Sequence, residues 1–210
     1  MTQLTQYGFH VDTRKCSGCK TCQVACKDKN ELNPKVLWRR VYEYGGGRFS
    51  ILDSNKGTYT NNVFAYNVSI SCNHCGDPVC LAACPTGAIH KRQANGLVVL
   101  DSSICIGCES CSKACPYDAP QLDATQGVMT KCDGCYELVE QGKKPLCVTS
   151  CPLRALDFGL MEELRERYPG ATTGDIYPLP SSHITKPNLL VTHNVSSSRN
   201  DGSIMNPREV

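Results

Sequence analysis

The chain has 210 residues, 40% of them apolar, with only four Phe and one Trp, so its hydrocarbon core is modest for its length. Twenty-two basic and twenty acidic side chains leave a net charge of +2, which excludes recognition of nucleic acid or an anionic membrane by charge alone. Sixteen cysteines stand out instead, and metal or disulfide cross-links are the usual supplement to a small core. Met1 to His10 lacks a basic start followed by an apolar run of signal-peptide length, and no stretch approaches the roughly 20 apolar residues that span a bilayer. The expectation is a chain with no export address of its own, soluble or docked to something that is not.

Tyr7 to Asp12 alternates and predicts a short strand running into a first cysteine quartet, Cys16, Cys19, Cys22 and Cys26. The last two of these are four apart and share a face if a helix begins there. Residues 33–70 hold no cysteine and read as β structure: Val36 to Tyr44, a glycine break at Gly45 to Gly47, Arg48 to Leu52, a turn at Asp53 to Gly57, and the long alternating run Asn62 to Ile70. This inserted hairpin or small sheet is expected to pack over a metal centre and exclude water. No Gly-x-Gly-x-x-Gly or Walker pattern surrounds Gly45 to Gly47, so it is a turn and not a phosphate loop.

A second quartet follows, Cys72, Cys75, Cys80 and Cys84, and a third, Cys105, Cys108, Cys111 and Cys115; each ends in Cys-Pro, at Pro85 and Pro116. Between them Asn95 and Gly96 sit in a hairpin signal flanked by Thr86 to His90 and Leu97 to Asp101. The fourth quartet, Cys132, Cys135, Cys147 and Cys151, carries an eleven-residue interruption before Cys147 and closes on Pro152. Leu160 to Tyr168 has the spacing of a short amphipathic helix, stopped at Pro169 and Gly170. The Pro-, Ser-, Thr- and Asn-rich remainder to Val210 reads as disordered or laid along a partner, anchored by Tyr177 to Pro180 and Pro187 to Val191.

Three chemistries compete for the sixteen thiols. Disulfides suit small secreted chains, whereas these cysteines are bunched two or three residues apart and followed by proline. A structural zinc protein is the stronger rival, but a zinc site needs two Cys-x-x-Cys pairs, and quartets one and three carry a third and a fourth cysteine close behind the first pair. Three bunched thiolates and a fourth that reaches a neighbouring cube is the ferredoxin arrangement for 4Fe-4S clusters. Quartet one has Lys27 where a proline is expected, so its assignment leans on the others.

Flanking strands indicate which quartets pair. An apolar strand ending in Asp precedes quartets one (Asp12) and three (Asp101), and an Ala-apolar pair follows quartets two (Ala88, Ile89) and four (Ala155, Leu156). By this internal repeat the strand after quartet four lies beside the strand before quartet one, giving nested halves. Exchanging fourth ligands within each pair groups Cys72, Cys75 and Cys80 with Cys115, and Cys105, Cys108 and Cys111 with Cys84. It groups Cys16, Cys19 and Cys22 with Cys151, and Cys132, Cys135 and Cys147 with Cys26. Sixteen ligands then fill four 4Fe-4S clusters. For His74 a structural or solvent-facing role outweighs tuning of a cluster by hydrogen bonding, and for Lys131, Lys143, Lys144 and Arg154, near quartet four, solvation of most and a partner contact for a minority outweigh a charge effect on cluster potentials. No nucleophile has an adjacent base, so no catalytic residue is expected.

The runs Tyr7-Gly-Phe9, Arg39 to Tyr44, Val63 to Tyr66, Ser69 to Cys75, Thr130 to Tyr136, Cys151 to Gly159 and Thr185 to Asn188 resemble the iron-sulfur subunit of anaerobic dimethyl sulfoxide reductase. The cysteine pattern alone is shared with subunits of nitrate reductase, formate dehydrogenase and polysulfide reductase. The resemblance implies an electron-transfer subunit between a membrane anchor that oxidises menaquinol and a molybdopterin catalytic subunit that reduces sulfoxides or N-oxides. It also implies a place at the cytoplasmic membrane through that anchor, on an unstated side. Nitrate reductase relatives lack the second cysteine of quartet three; Cys108 is present here, so four cubanes are expected.

The fold class expected is α+β: two nested ferredoxin-like lobes with an inserted β region and an extended tail. The outer lobe takes residues 1–32 and 124–165, the β insertion 33–65, the inner lobe 66–123, and the tail 166–210.

Overall fold

The computed structural model describes residues 5–210, so the first four residues of the stretch weighed for an export signal lie outside it. Strand β1 (Tyr7–Asp12) leads into helix α1 (Thr21–Lys29), whose buried face carries Cys22 and Cys26. Then come β2 (Arg40–Gly46), β3 (Phe49–Asp53), β4 (Thr58–Asn61) and β5 (Phe64–Ile70). The middle of the chain is short pieces: α2 (Val79–Ala82), β6 (Ile89–Lys91), β7 (Val98–Leu100), α3 (Ser110–Ala114), β8 (Gln121–Asp123), β9 (Val128–Thr130), α4 (Tyr136–Glu140) and α5 (Leu146–Thr149). β10 (Leu156–Leu160), α6 (Met161–Arg167), β11 (Thr172–Thr173), β12 (Leu189–Thr192) and β13 (Ser203–Ile204) complete it. A mixed α/β protein with few, short helices and paired hairpins fits a ferredoxin-like fold. Among the described residues no helix is long and apolar enough to cross a membrane.

β1 is the axis of the main sheet, ordered β10-β1-β12-β11. On one edge it pairs antiparallel with β10, Tyr7 opposite Leu160 and Val11 opposite Leu156. The equivalent hairpin β6–β7 sets Ile89 opposite Leu100. Its turn is longer than a two-residue one: Arg92 N–H reaches the Leu97 carbonyl, and Leu97 N–H is held by the Asn95 side chain. A third hairpin, β8–β9, precedes quartet four and had no clear signal in the sequence.

The tail is anchored on its own protein at the second of its two expected anchors, Pro187 to Val191: β12 adds in parallel to the free edge of β1, Phe9 opposite Leu189 and Val11 opposite Val191. Leu189, Leu190 and Val191 are all buried there, so three apolar residues and an unpaired strand edge anchor the segment on its own protein. Further on, β13 pairs with β2, and the buried Asn206 amide donates to the Val41 carbonyl at 3.0 Å while accepting from Glu43 N–H at 2.9 Å.

The insertion divides into two parts. β2 and β5 pair along their whole length, from Arg40 opposite Ile70 to Gly46 opposite Phe64, and place Val41, Tyr44, Phe64, Tyr66 and Val68 in the largest core with Phe9, Val11 and Phe158. β5 is therefore one strand across the expected boundary after residue 65. The β3–β4 hairpin covers no centre: Phe49, Ile51, Leu52 and Tyr59 are all more than 60% exposed. Between them Gly47 has a φ of +91°, and a Cβ there would come within 2.4 Å of the Asn62 carbonyl oxygen, so only glycine makes this corner. The strand expected from Val36 begins only at Arg40, because the Lys27 ammonium gathers the carbonyls of Asn33, Pro34 and Val36 into a loop.

Candidate iron-sulfur centres

All sixteen cysteines are free thiols, which disposes of the disulfide alternative. The helices and loops bring them together in fours. Cys72, Cys75, Cys80 and Cys115 line one cavity with Pro78, Val79, Pro116 and Ala119. Cys26, Cys132, Cys135 and Cys147 line another, walled by Phe9, Trp38 and Pro145. Cys84, Cys105, Cys108 and Cys111 line a third against Ile89, Leu100 and Met129. In the remaining group, the first along the chain, the Cys16 thiol, pushed up to about 11 by burial, also feels the charges of Cys22, Cys151 and Cys19. Three of the expected sets thus line one cavity each, and the thiols of the remaining set lie within electrostatic reach of Cys16. Among the described residues no three Cys, His, Asp or Glu side chains converge to hold a single metal ion; the thiols stand around a space and not around a point.

The four sets form a series. Cys22 and Cys147 act on one another electrostatically across the first and second sets, as do Cys132 and Cys72 across the second and third. Cys80 and Cys111, of the third and fourth, share one apolar cluster. Exposure follows that order: Cys19 in the first set and Cys108 in the last are the exposed thiols, while the two middle sets are buried or half-buried.

One backbone device recurs. The residue before the second cysteine of each Cys-x-x-Cys has a positive φ, at Gly18 (74°), Gly107 (65°) and Gly134 (72°), and at His74 (44°) where no glycine is present. This turn brings the two thiols of each pair round to one side. Backbone N–H groups then reach sulfur: Ala155 to Cys151 Sγ at 3.3 Å, Gly134 to Cys132 Sγ at 3.4 Å, Met129 to Cys105 Sγ at 3.4 Å.

Hydroxyls two residues downstream serve the exposed thiols and the half-buried Cys84, Thr21 on Cys19 at 3.4 Å, Ser110 on Cys108 at 3.5 Å and Thr86 on Cys84 at 3.7 Å. The Thr21 and Ser110 hydroxyls hold Cys19 and Cys108 below the usual thiol range. That Cys-x-Ser/Thr spacing is a signal the sequence carries and the reading of quartets alone passes over. Burial instead pushes Cys26, Cys75 and Cys80 up to about 12, so these thiols ionise only when a positive centre binds them, releasing protons.

Two cations are buried among the sets, whereas the carboxylate at the Cys26 cavity, Asp133, is half-buried. Arg39 is 2% exposed and lines the Cys26 cavity, with its Nε lacking a protein acceptor. Lys131, expected to be solvated, is 3% exposed and lines the Cys72 cavity, where its ammonium donates to the carbonyls of Val98 and Cys132. Of the other cations near quartet four, Arg154 Nη1 caps α5 by donating to the Thr149 and Cys151 carbonyls at 2.9 and 3.0 Å, and Lys144 pairs with Asp157 at 2.5 Å. Asn73 Nδ2, at the Cys72 cavity, is likewise buried without a protein partner. Sulfur-lined cavities with apolar walls, N–H groups on sulfur and orphaned buried donors fit anionic 4Fe-4S clusters.

Comparison with known proteins agrees. Two families described as 4Fe-4S dicluster domains match the sequence, over residues 63–161 and 15–89. Together with the sixteen cysteines they support four 4Fe-4S clusters. The protein is 53% identical to the B subunit of anaerobic dimethyl sulfoxide reductase of Escherichia coli, over 98% of its own length and 99% of that subunit. The corresponding subunit of Haemophilus influenzae is also 53% identical, over 99% and 100%. Selenate reductase subunit beta of Thauera selenatis is 41% identical, over 88% and 76%. The protein belongs to the family of anaerobic dimethyl sulfoxide reductase B subunits, the iron-sulfur electron-transfer subunits with 4Fe-4S centres.

Proposed function

We propose that the protein is a non-catalytic relay carrying four 4Fe-4S clusters between a menaquinol-oxidising membrane anchor and a molybdopterin subunit that reduces dimethyl sulfoxide and related S- or N-oxides. When bound, the clusters supply one-electron transfer; the protein supplies spacing, insulation and charge. The ligand sets are Cys16, Cys19, Cys22 and Cys151; Cys26, Cys132, Cys135 and Cys147; Cys72, Cys75, Cys80 and Cys115; Cys84, Cys105, Cys108 and Cys111. The observation that carries the reading is the order of exposure: a series of four thiol sets is open at Cys19 and at Cys108 and closed between them. That is what a conductor with two contacts requires.

In this reading the lobes are nested. Quartets two and three form the inner pair beside the β6–β7 hairpin and face the quinol side; quartets one and four form the outer pair beside β1–β10 and face the catalytic subunit. The protein sits at the membrane surface through the anchor. The test is anaerobic purification of the complex with iron and sulfide analysis, redox-titrated electron paramagnetic resonance, and oxidation of a reduced quinol analogue by dimethyl sulfoxide. Four distinct cubane signals with sulfoxide-dependent quinol oxidation are expected. Colourless protein containing zinc sinks the cluster reading, and turnover with formate or polysulfide in place of sulfoxide sinks the choice of partner.

A further inference from the structure

Among the described residues Arg39 is the largest fully buried side chain, and no carboxylate forms an ion pair with it. Burying an unpaired guanidinium is unfavourable, so an anionic group must face it when the protein is complete. Its fork is held from β5 and the residue beyond it: Nη1 donates to Ser69 Oγ at 3.1 Å and Nη2 to Ser71 Oγ at 2.9 Å, while the guanidinium lies 4.6 Å over the Phe9 ring. Ser69 Oγ in turn stands 3.3 Å from Cys22 Sγ, in the first thiol set. The same guanidinium lines the cavity of Cys26, Cys132 and Cys147, in the second, with its Nε unpaired. Among the described residues Arg39 is therefore the buried cation placed between these two sets, and its unpaired Nε belongs to a residue that lines a thiol cavity. Burial disfavours its charge, but Cys147, Cys22, Cys132 and Cys26 together overcome that and raise it above the ordinary guanidinium value.

We propose that Arg39 is a positioning residue shared by two adjacent clusters, and that its fixed positive charge raises the reduction potential of both. The proposal rests on the ligand assignment above. Each reduction adds one electron to a cluster and no proton to Arg39, which stays charged throughout. Because the charge is shared, it also offsets the repulsion between the two clusters when both are reduced. A purely structural arginine, stacking on Phe9 and bridging two serines, would hold the fold without moving either potential.

The experiment uses the full-length protein purified anaerobically with its partners, iron and sulfide content, and a redox titration followed by electron paramagnetic resonance. Arg39→Gln is expected to keep its iron and to shift the oxidised-to-reduced ratio at fixed potential at least tenfold for two clusters, about 59 mV per tenfold for one electron. Arg39→Lys, which keeps the charge, is expected to stay within roughly threefold of the unaltered protein. Unchanged potentials, a shift in one cluster alone, or an equal shift in all four overturns the proposal. If Arg39→Gln loses iron, Ser69→Ala decides: it removes the hydroxyl between Arg39 and Cys22, so the cluster of the first set must fall in potential. No fall there overturns the proposal. A cluster count other than four in the unaltered protein would instead overturn the ligand assignment, and is read from the same samples.

Discussion

His74 Nε2 stands 4.0 Å from Cys132 Sγ, so a residue lying between Cys72 and Cys75 of one thiol set touches a thiol of the next. Its φ of 44° occupies a position that Gly18, Gly107 and Gly134 fill in the other three quartets. A side chain there costs backbone strain, and this one is completely buried. Nδ1 lies 3.1 Å from Val98 N and 3.2 Å from Val98 O. That carbonyl already accepts from the Lys131 ammonium, so Nδ1 accepts from Val98 N–H and Nε2 carries the hydrogen towards sulfur. Burial keeps the ring neutral. The expected outcome of His74→Gly is an easier backbone and a poorer centre. The cluster proposed at Cys132 falls in potential by roughly threefold to tenfold in its redox ratio, the size of one lost hydrogen bond. His74→Gln, which retains a donor, recovers part of that, as a redox titration by electron paramagnetic resonance reads directly.

Cys108 tests the sharing of ligands between quartets. It is exposed, and it lines one cavity with Cys84, Cys105 and Cys111. Cys108→Ser is expected to perturb that one cluster and leave the three others at their potentials. Loss of a signal belonging to the Cys72, Cys75, Cys80 and Cys115 set would refute the exchange of fourth ligands.

Much of this arrangement was legible because cysteine spacing is a local signal and the repeated flanks are local too. The strand ending at Asp12 and the one beginning at Leu156 pair as their likeness to Asp101 and Ile89 implied. The tail was legible as an anchor at Pro187 to Val191 but not as a strand: Leu189, Leu190 and Val191 make a run too short to announce one, and their partner is the edge of β1, about 180 residues away in sequence. Nor was the burial of Arg39 and Lys131 legible, since cations are ordinarily solvated and the serines and carbonyls that hold these two are set by the tertiary fold. The expectation that the insertion packs over a centre fits β2 and β5, which share a core with Cys22, Cys147 and Cys151, but not β3, whose Phe49, Ile51 and Leu52 face solvent.

The seating of the tail has a direct measure. Leu190 is 2% exposed and packs with Met161 and Leu164, closing α6 onto the sheet. Leu190→Ala is expected to cost about 2–4 kcal/mol, seen as a lower thermal midpoint of the cluster-loaded protein. Val195, 97% exposed a few residues later, accepts Lys with a change of about 0.5 kcal/mol or less. Equal effects at the two positions would mean that β12 does not belong to the core.

Acid sensitivity follows from the neighbouring pair His10 on β1 and Asp157 on β10, opposite one another in the sheet. Burial lowers His10 from 6.5 to about 4, although the carboxylates of Asp12 and Asp157 pull the other way. Its ring stacks on Tyr168 at 3.6 Å and Nε2 meets Thr192 Oγ1 at 2.8 Å, so it is locked as the neutral form. The unfolded protein takes up the proton at 6.5 and the folded protein only near 4, so stability falls as pH drops through that window. The loss is complete below the lower value and amounts to roughly 3 kcal/mol at most.

Asp157 acts lower on the scale. Burial opposes its charge, but Lys144, Phe158 N–H, Arg167 and Tyr168 together lower it from 3.8 to about 2. Its contribution is present above 3.8 and disappears as pH falls through 2, so it is silent while His10 titrates. His10→Gln should therefore flatten the decline of the thermal midpoint between pH 6.5 and 4, whereas Asp157→Asn should lower the midpoint at every pH above 4 without flattening that decline. A His10→Gln profile with the same slope as the unaltered protein would show that acid acts elsewhere, on the thiols themselves.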